Sequence, residues 1–124
     1  MESISSLGEF QDLVAGRQAV AFYCSTPSCG VCASLKPKVA ELFGRHFPSM
    51  ELFYADIEAL PELRGQLSVY SIPAVLGYFQ GKELIREARN FGVAELGRKI
   101  DRYYSLLFGE AEDSPGEAEA QAGD

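Results

Sequence analysis

Two cysteines separated by two residues, Cys29 and Cys32, are the side chains whose type and spacing could carry chemistry. They follow a short apolar run, 19–24, and a polar turn, 25–28, and a helical pattern begins at the pair. The start of a helix has unpaired N–H groups and a partial positive charge, and both favour a thiolate over a thiol. We expect Cys29 to lie nearest this end with its sulfur toward water, and Cys32 about one turn further on, close enough to form a disulfide. This arrangement predicts a redox switch.

A third cysteine, Cys24, raises the alternative of a metal site. The spacing of the three cysteines is similar to that of one type of iron–sulfur protein, but such a site needs a fourth cysteine, and the chain has three. A zinc site would need His46 as its fourth ligand, about four helical turns beyond Cys32 and roughly 20 Å away. We therefore predict no metal site. We interpret Cys24 as a small apolar core residue at the end of a strand.

Apolar spacing along the chain predicts eight elements in the order α-β-α-β-α-β-β-α, which implies a mixed sheet between two helix layers. Ser6 and Glu9 have the spacing of a capping box at the start of the first helix. Pro37 falls inside the second helix, where it removes one hydrogen bond. The predicted helices cover 6–16, 29–47, 59–67 and 93–107, and the predicted strands cover 19–24, 50–57, 74–79 and 82–89, the last of them at an edge.

The net charge of −7 is unevenly distributed along the 124 residues. The segment 109–124 carries six acids, no base and no large apolar residue, whereas 1–108 carries 12 acids and 11 bases. We predict one domain over 1–108 and an acidic disordered tail over 109–124, with an acidic partner-binding arm as the alternative interpretation of the tail. A nearly neutral domain has no basic patch that would favour nucleic acid.

The N-terminus and the cysteine content bear on the compartment. The first ten residues contain two acids and no basic or apolar region of the kind that a secretory signal has, and no apolar run approaches the length of a membrane span. We therefore expect a cytoplasmic protein without membrane contact. Thiols in that compartment are normally kept reduced, so a close cysteine pair there is more often catalytic or metal-binding than structural.

Five features together resemble the thioredoxin family, and the resemblance extends over about 7–108. A pair of cysteines alone is a weak signal, but it is a strong one when an isoleucine–proline pair follows some forty residues later in a β-α-β-β frame. The five features are Cys29-Gly30-Val31-Cys32 after a strand, Pro37, Asp56-Ile57-Glu58 followed by Pro61-Glu62-Leu63, Ile72-Pro73 before a strand, and Gly81 in a hairpin.

The resemblance implies a thioredoxin fold, with a mixed central sheet of about four strands between helices and an N-terminal strand that is reduced or absent. It implies a thiol–disulfide oxidoreductase in which Cys29 and Cys32 are catalytic. It further implies that Pro73 is cis and faces the dithiol, and that the backbone of Ile72 holds an extended segment of the substrate. The expected partners are disulfide-containing proteins and an external reductase such as thioredoxin reductase; we expect a monomer that needs no bound cofactor.

Several positions depart from the family pattern, and we predict that they tune the redox chemistry. Gly30-Val31 replaces the common Gly-Pro dipeptide, and Tyr23 and Tyr54 occupy the positions of a buried aspartate and its lysine partner. Ser28 replaces the usual tryptophan. These departures leave three alternatives: an oxidase or isomerase, a glutaredoxin, which Ser71-Ile72-Pro73 disfavours, and a redox-sensing or partner-binding module with low turnover.

Overall fold

The computed structural model describes residues 1–109. The predicted acidic tail therefore lies outside the described residues except for Gly109. Within the described part, no helix is both long and apolar enough to span a membrane.

The described chain forms nine elements, and all eight predicted elements are among them. The additional element is a two-residue strand at the N-terminus. The elements are β1 (Glu2–Ser3), α1 (Leu7–Gly16), β2 (Ala19–Ser25), α2 (Gly30–His46), β3 (Glu51–Asp56), α3 (Pro61–Leu67), β4 (Ala74–Phe79), β5 (Lys82–Ala88) and α4 (Val93–Phe108).

The five strands form one sheet in the order β1-β3-β2-β4-β5, with β2 parallel to β3 and antiparallel to β4. All seven residues of the central strand β2 are buried, as a strand covered on both faces requires. The predicted mixed sheet is confirmed. The reduced N-terminal strand is also confirmed as β1, which pairs Glu2 with Phe53 and Ser3 with Tyr54 and brings the sheet to five strands.

Side chains of β2 alternate between two apolar cores, because successive residues of a strand point to opposite faces of the sheet. The dithiol-side core contains Ala21, Tyr23 and Cys32, together with residues of α2 and α4. The opposite core contains Phe22 and Cys24, together with residues of α1 and α3. Cys24 is fully buried, which confirms its interpretation as a small core residue.

Local details at the helix ends differ from the sequence-based expectation. The hydroxyl of Ser6 accepts from the Glu9 N–H at 3.0 Å, but the Glu9 carboxylate accepts from the N–H of Ser5, at 2.6 Å, rather than from that of Ser6. The second helix begins one residue later than predicted, at Gly30, because Cys29 has extended backbone angles and acts as the N-cap.

Deleting 110–124 is expected to leave the melting temperature and the reductase activity unchanged. These residues include no large apolar side chain that could add to either core. Thermal unfolding and disulfide reduction by the full and shortened chains would test this. A loss of several degrees in the shortened chain would mean that the acidic segment docks on the domain.

Candidate active site

Cys29 and Cys32 form a disulfide at the start of α2, with their Cα atoms 5.2 Å apart. The Cys32 N–H donates a hydrogen bond to Cys29 Sγ at 3.2 Å. In the reduced protein the same N–H group, together with the positive end of the helix, would stabilise a thiolate on Cys29. The local sequence therefore places the sulfur of Cys29 where its ionised form is favoured.

The two sulfurs of the dithiol differ in access to solvent. Cys29 is half-buried, whereas Cys32 is only 1% exposed and belongs to the dithiol-side core. A large disulfide substrate can therefore reach Cys29 but not Cys32. The arrangement suits Cys29 to an attack on a substrate and Cys32 to an attack on the bond that results.

The bond between Ile72 and Pro73 is cis, as the family resemblance implies. Because β2 and β4 are antiparallel and Cys24 pairs with Ala74, the end of β2 that leads to the dithiol lies beside the start of β4. Ile72 and Cys29 both pack against the dithiol-side core. The fold thus brings the predicted substrate-binding pair to the same end of the sheet as the cysteines.

Backbone groups near the cis proline differ in whether they are already paired. The Pro73 carbonyl accepts a hydrogen bond from the Arg89 N–H at 2.8 Å. Within the described part of the chain, Ile72 makes no backbone hydrogen bond. Its N–H and carbonyl are therefore available to an extended peptide, as β-augmentation requires.

Tyr23 and Tyr54 lie side by side in the register of β2 and β3, with ring centroids 6.5 Å apart. Tyr23 is fully buried, and its hydroxyl donates to the Cys32 carbonyl at 2.7 Å. Burial, with a smaller effect from Tyr54, raises the pKa of Tyr23 to about 12. This hydroxyl therefore remains protonated at neutral pH and cannot serve as a base for Cys32.

Sequence patterns did not identify Lys36, which lies beside the tyrosine pair. Its Nζ lies over the ring of Tyr54, 4.2 Å from the ring centroid, and the Tyr54 hydroxyl shares a hydrogen bond of 2.8 Å with Ser25 Oγ. The one sequence signal was its spacing, since Lys36 follows Cys32 by four residues and so lies on the same face of α2. A cation thus lies beside the tyrosine pair, although the lysine position of the family pattern is occupied by Tyr54.

The two residues between the cysteines are both exposed. Gly30 has a negative φ and open space around the position of a Cβ, so no close contact requires a glycine there. Val31 is 66% exposed and offers an apolar surface next to Cys29. Ser28, in the place of the usual tryptophan, is also exposed.

The other candidate ligands for a metal lie apart from the dithiol. Cys24 points into the opposite core, across the sheet from Cys32. His46 is the last residue of α2, at the far end of that helix from Cys29.

After reduction, a brief pulse of iodoacetamide near neutral pH should label Cys29 first, Cys32 more slowly and Cys24 only after unfolding. Cys29 is accessible and lies at the helix start, whereas burial raises the pKa of Cys24 to about 12. Mass spectrometry of digested samples gives the order. Early labelling of Cys24 in the folded protein would contradict the placement of this residue in the core.

Comparisons with known proteins agree with this geometry. A family model described as thioredoxin matches residues 3–101. The chain is 29% identical over 110 residues to the thioredoxin-like protein YdfQ of Bacillus subtilis, a match that covers 89% of this chain and 97% of that protein. It is 34% identical over 87 residues to a thioredoxin of Chlamydia muridarum, covering 69% and 82% of the two chains.

The fold is similar to that of solved structures at lower identity. A structure of Plasmodium falciparum thioredoxin superimposes with a TM-score of 0.75 at 18% identity, covering 83% of this chain and 99% of that chain.

Proposed function

Because the chain belongs to the thioredoxin family and is a thiol–disulfide oxidoreductase, we propose that it reduces disulfide bonds in protein substrates. The observation that carries this proposal is the hydrogen bond from the Cys32 N–H to Cys29 Sγ at the start of α2. This bond supports Cys29 as the attacking thiolate, because the same N–H would stabilise an ionised sulfur in the reduced protein. Cys32, buried one turn away, is then the second nucleophile.

The reaction takes place in two exchanges. The Cys29 thiolate attacks one sulfur of the substrate disulfide, which forms a mixed disulfide and releases the other substrate sulfur as a thiolate. Cys32, as its thiolate, then attacks Cys29 Sγ, which closes the Cys29–Cys32 disulfide and releases the second substrate thiolate. Two electrons pass from the dithiol to the substrate, and two protons from water complete the substrate thiols.

The substrate would be held as an extended segment at the cis proline. Ile72 offers an unpaired N–H and carbonyl at this end of the sheet, and Val31 offers apolar contact between the cysteines. Backbone pairing is independent of side-chain identity. The proposed site can therefore accept many protein disulfides.

The proposed partners and location follow from the chemistry. The oxidised dithiol must be reduced again by an external electron donor, for which a reductase of the thioredoxin reductase type is our proposal. A cytoplasmic location would keep this donor and reduced thiols together, and electron transfer to disulfide substrates would serve cellular redox homeostasis. We further propose that the protein acts as a monomer.

Insulin reduction tests this function. The protein should accelerate the precipitation of insulin chains in dithiothreitol, and it should do so catalytically when a thioredoxin reductase and its reductant replace dithiothreitol. Acceleration with dithiothreitol but not with the reductase would retain the chemistry and reject that partner. The absence of acceleration in both assays would reject the proposed reductase function.

A second candidate is a redox-sensing or partner-binding module with low turnover. The observation that favours it is the Tyr23 hydroxyl bonded to the Cys32 carbonyl where the family pattern has a carboxylate. Such a module would reduce about one equivalent of substrate in a single turnover of the dithiol and would then recycle slowly. Single-turnover and multiple-turnover rates measured on the same substrate separate the two functions.

A further inference from the structure

A groove of about 280 Å³ borders Val31, the residue before Cys32, and lies between the first turns of α2 and the loop that joins β5 to α4. Its apolar lining comes from Val31, Leu35 and Phe91. Because Val31 lies between the two cysteines, a peptide whose disulfide meets Cys29 would have its neighbouring residues over this groove.

Two cations, Lys38 and Arg89, line the same groove, and among the residues that the structure describes no acidic side chain lines it. Both are exposed. In the described part of the chain, neither of their side chains has an ion pair or a hydrogen bond. The acid that follows Lys38 on α2 is Glu41, and its carboxylate lies 3.9 Å from Arg45. Within residues 1–109, no carboxylate therefore contacts either cation of the groove, although the protein as a whole is acidic.

The position of Arg89 is determined by the backbone beside the cis proline. Its N–H donates to the Pro73 carbonyl at 2.8 Å, and its φ of 63° lies in the left-handed region that residues other than glycine seldom adopt. This conformation directly follows the last residue of β5. The guanidinium group is thus attached to the same backbone segment that borders the substrate-binding pair, and unusual backbone angles of this kind concentrate at functional sites.

We propose that this groove selects substrates whose disulfide is flanked by a segment that combines acidic and apolar residues, with Lys38 and Arg89 contacting its carboxylates. The inference rests on the proposed reductase function, because it names the substrate class of the same site. Apolar side chains of the segment would cover Val31 and Phe91. Opposite charges accelerate the encounter and reject like-charged partners, and the attraction is screened over about 8 Å at physiological salt.

Three peptides with one apolar frame test the proposal. Each is closed by an intramolecular disulfide, carries a fluorophore–quencher pair that separates on reduction, and has either two Glu, two Gln or two Lys residues next to one cysteine. Rates are normalised to reduction of each peptide by dithiothreitol alone. At low ionic strength kcat/KM for the Glu peptide should exceed that for the Gln peptide about tenfold, and added NaCl should shrink the difference.

Substitutions of the two cations test whether the groove causes the preference for the Glu peptide. In Lys38→Gln/Arg89→Gln the ratio between Glu and Gln peptides should fall close to one, and Lys38→Glu/Arg89→Glu should favour the Lys peptide. The matched control, Lys82→Gln/Arg102→Gln, removes the same charge elsewhere and should keep the wild-type ratio. Lys82 lies at the hairpin, at the far end of β4 from Pro73, and Arg102 is roughly two and a half turns into α4.

The outcomes separate this inference from the function on which it rests. Rapid reduction of all three peptides at similar rates would overturn the inference and leave the reductase function standing, whereas failure to reduce any of them would reject the function itself. A preference that persists in the two groove variants, with folding verified by circular dichroism, would overturn the inference. A preference that appears only after removal of 110–124 would also overturn it, because the acidic segment of the chain itself would then be the occupant.

Discussion

Replacing Cys32 by serine should turn the protein from a turnover catalyst into a covalent trap that stays attached to its substrate through Cys29. The half-buried Cys29 remains able to attack, but the second nucleophile is gone, and no other cysteine lies on this face of the sheet in the described part of the chain. Insulin reduction should fall by at least about 100-fold, since loss of a residue that acts with another in one covalent mechanism removes most of the rate.

The matched variant is Cys29→Ser, which should lose activity to the same extent without forming the adduct. Non-reducing electrophoresis and intact mass spectrometry after mixing with an oxidised substrate show the difference, and Cys24→Ser serves as a control that retains the dithiol. If Cys29→Ser formed the adduct and Cys32→Ser did not, the roles of the two cysteines would be reversed, in conflict with the 1% exposure of Cys32.

The rate at which Cys32 resolves the mixed disulfide should rise steeply with pH and should show no step near the pKa of a carboxylic acid. Tyr23 occupies the position of the buried carboxylate, and burial raises the pKa of Tyr23 to about 12. Without a nearby base, the reactive fraction of Cys32 is its thiolate, whose ordinary pKa is about 8.5, so the rate should increase about tenfold per pH unit below that value. Stopped-flow measurement of this step between pH 5 and about 9 gives the profile.

The upper limit of that range follows from the stability of the fold. A tyrosine whose pKa is raised from 10.0 to about 12 favours the folded state as long as it is protonated in both states. This contribution is lost as pH rises from about 10 toward 12, because the unfolded chain ionises first. Burial likewise raises the pKa of Cys24 from 9.0 to about 12, so the contribution of Cys24 begins to fall near pH 9. Measurements below about pH 9 therefore report on Cys32 and not on unfolding.

Tyr23→Phe is the matched control for this profile. It keeps the ring in the core but removes the hydroxyl bonded to the Cys32 carbonyl, which should cost about 1–3 kcal/mol of stability and leave the shape of the pH profile unchanged. Tyr23→Asp should bury an acid without a lysine at position 54, so its pKa would rise and the fold would be destabilised. A wild-type rate that already reached its plateau at pH 6 would mean that another base serves Cys32.

Asp56 is the first residue to test in that event, because it pairs with Ser25 at the dithiol end of β2 and β3. Its carboxylate already accepts hydrogen bonds from the N–H groups of Glu58 and Ala59, at 3.0 and 3.1 Å. These bonds orient it toward the turn that follows β3. We therefore expect Asp56→Asn to leave the resolution profile unchanged.

Elements with local boundaries were predictable from the sequence. The strand 74–79 agrees with β4 at both ends, because Pro73 precedes it and the turn at Gly81 follows it. The strand β1 has only two residues, which is too short for a pattern of alternating residues. It is recognised by its pairing with Phe53 and Tyr54 of β3. The last helix also has a feature that depends on contacts distant in the sequence. In α4 the structure buries Tyr104 and buries Tyr103 only in part, because the neighbouring layer decides which of two adjacent aromatic rings faces inward.

The sequence by itself determined the chemistry of the site. A cysteine pair at the start of a helix and an isoleucine–proline pair before a strand predicted the dithiol and its neighbour, because helix ends, strand periodicity and proline geometry are properties of short segments. Only the tertiary structure placed the Tyr23 hydroxyl on the Cys32 carbonyl, Lys36 over Tyr54 and the Arg89 N–H on the Pro73 carbonyl. In each of these contacts the two residues lie outside any one shared element. Their distances depend on strand register and on how α2 packs against the sheet, and no local pattern of residues encodes either of these.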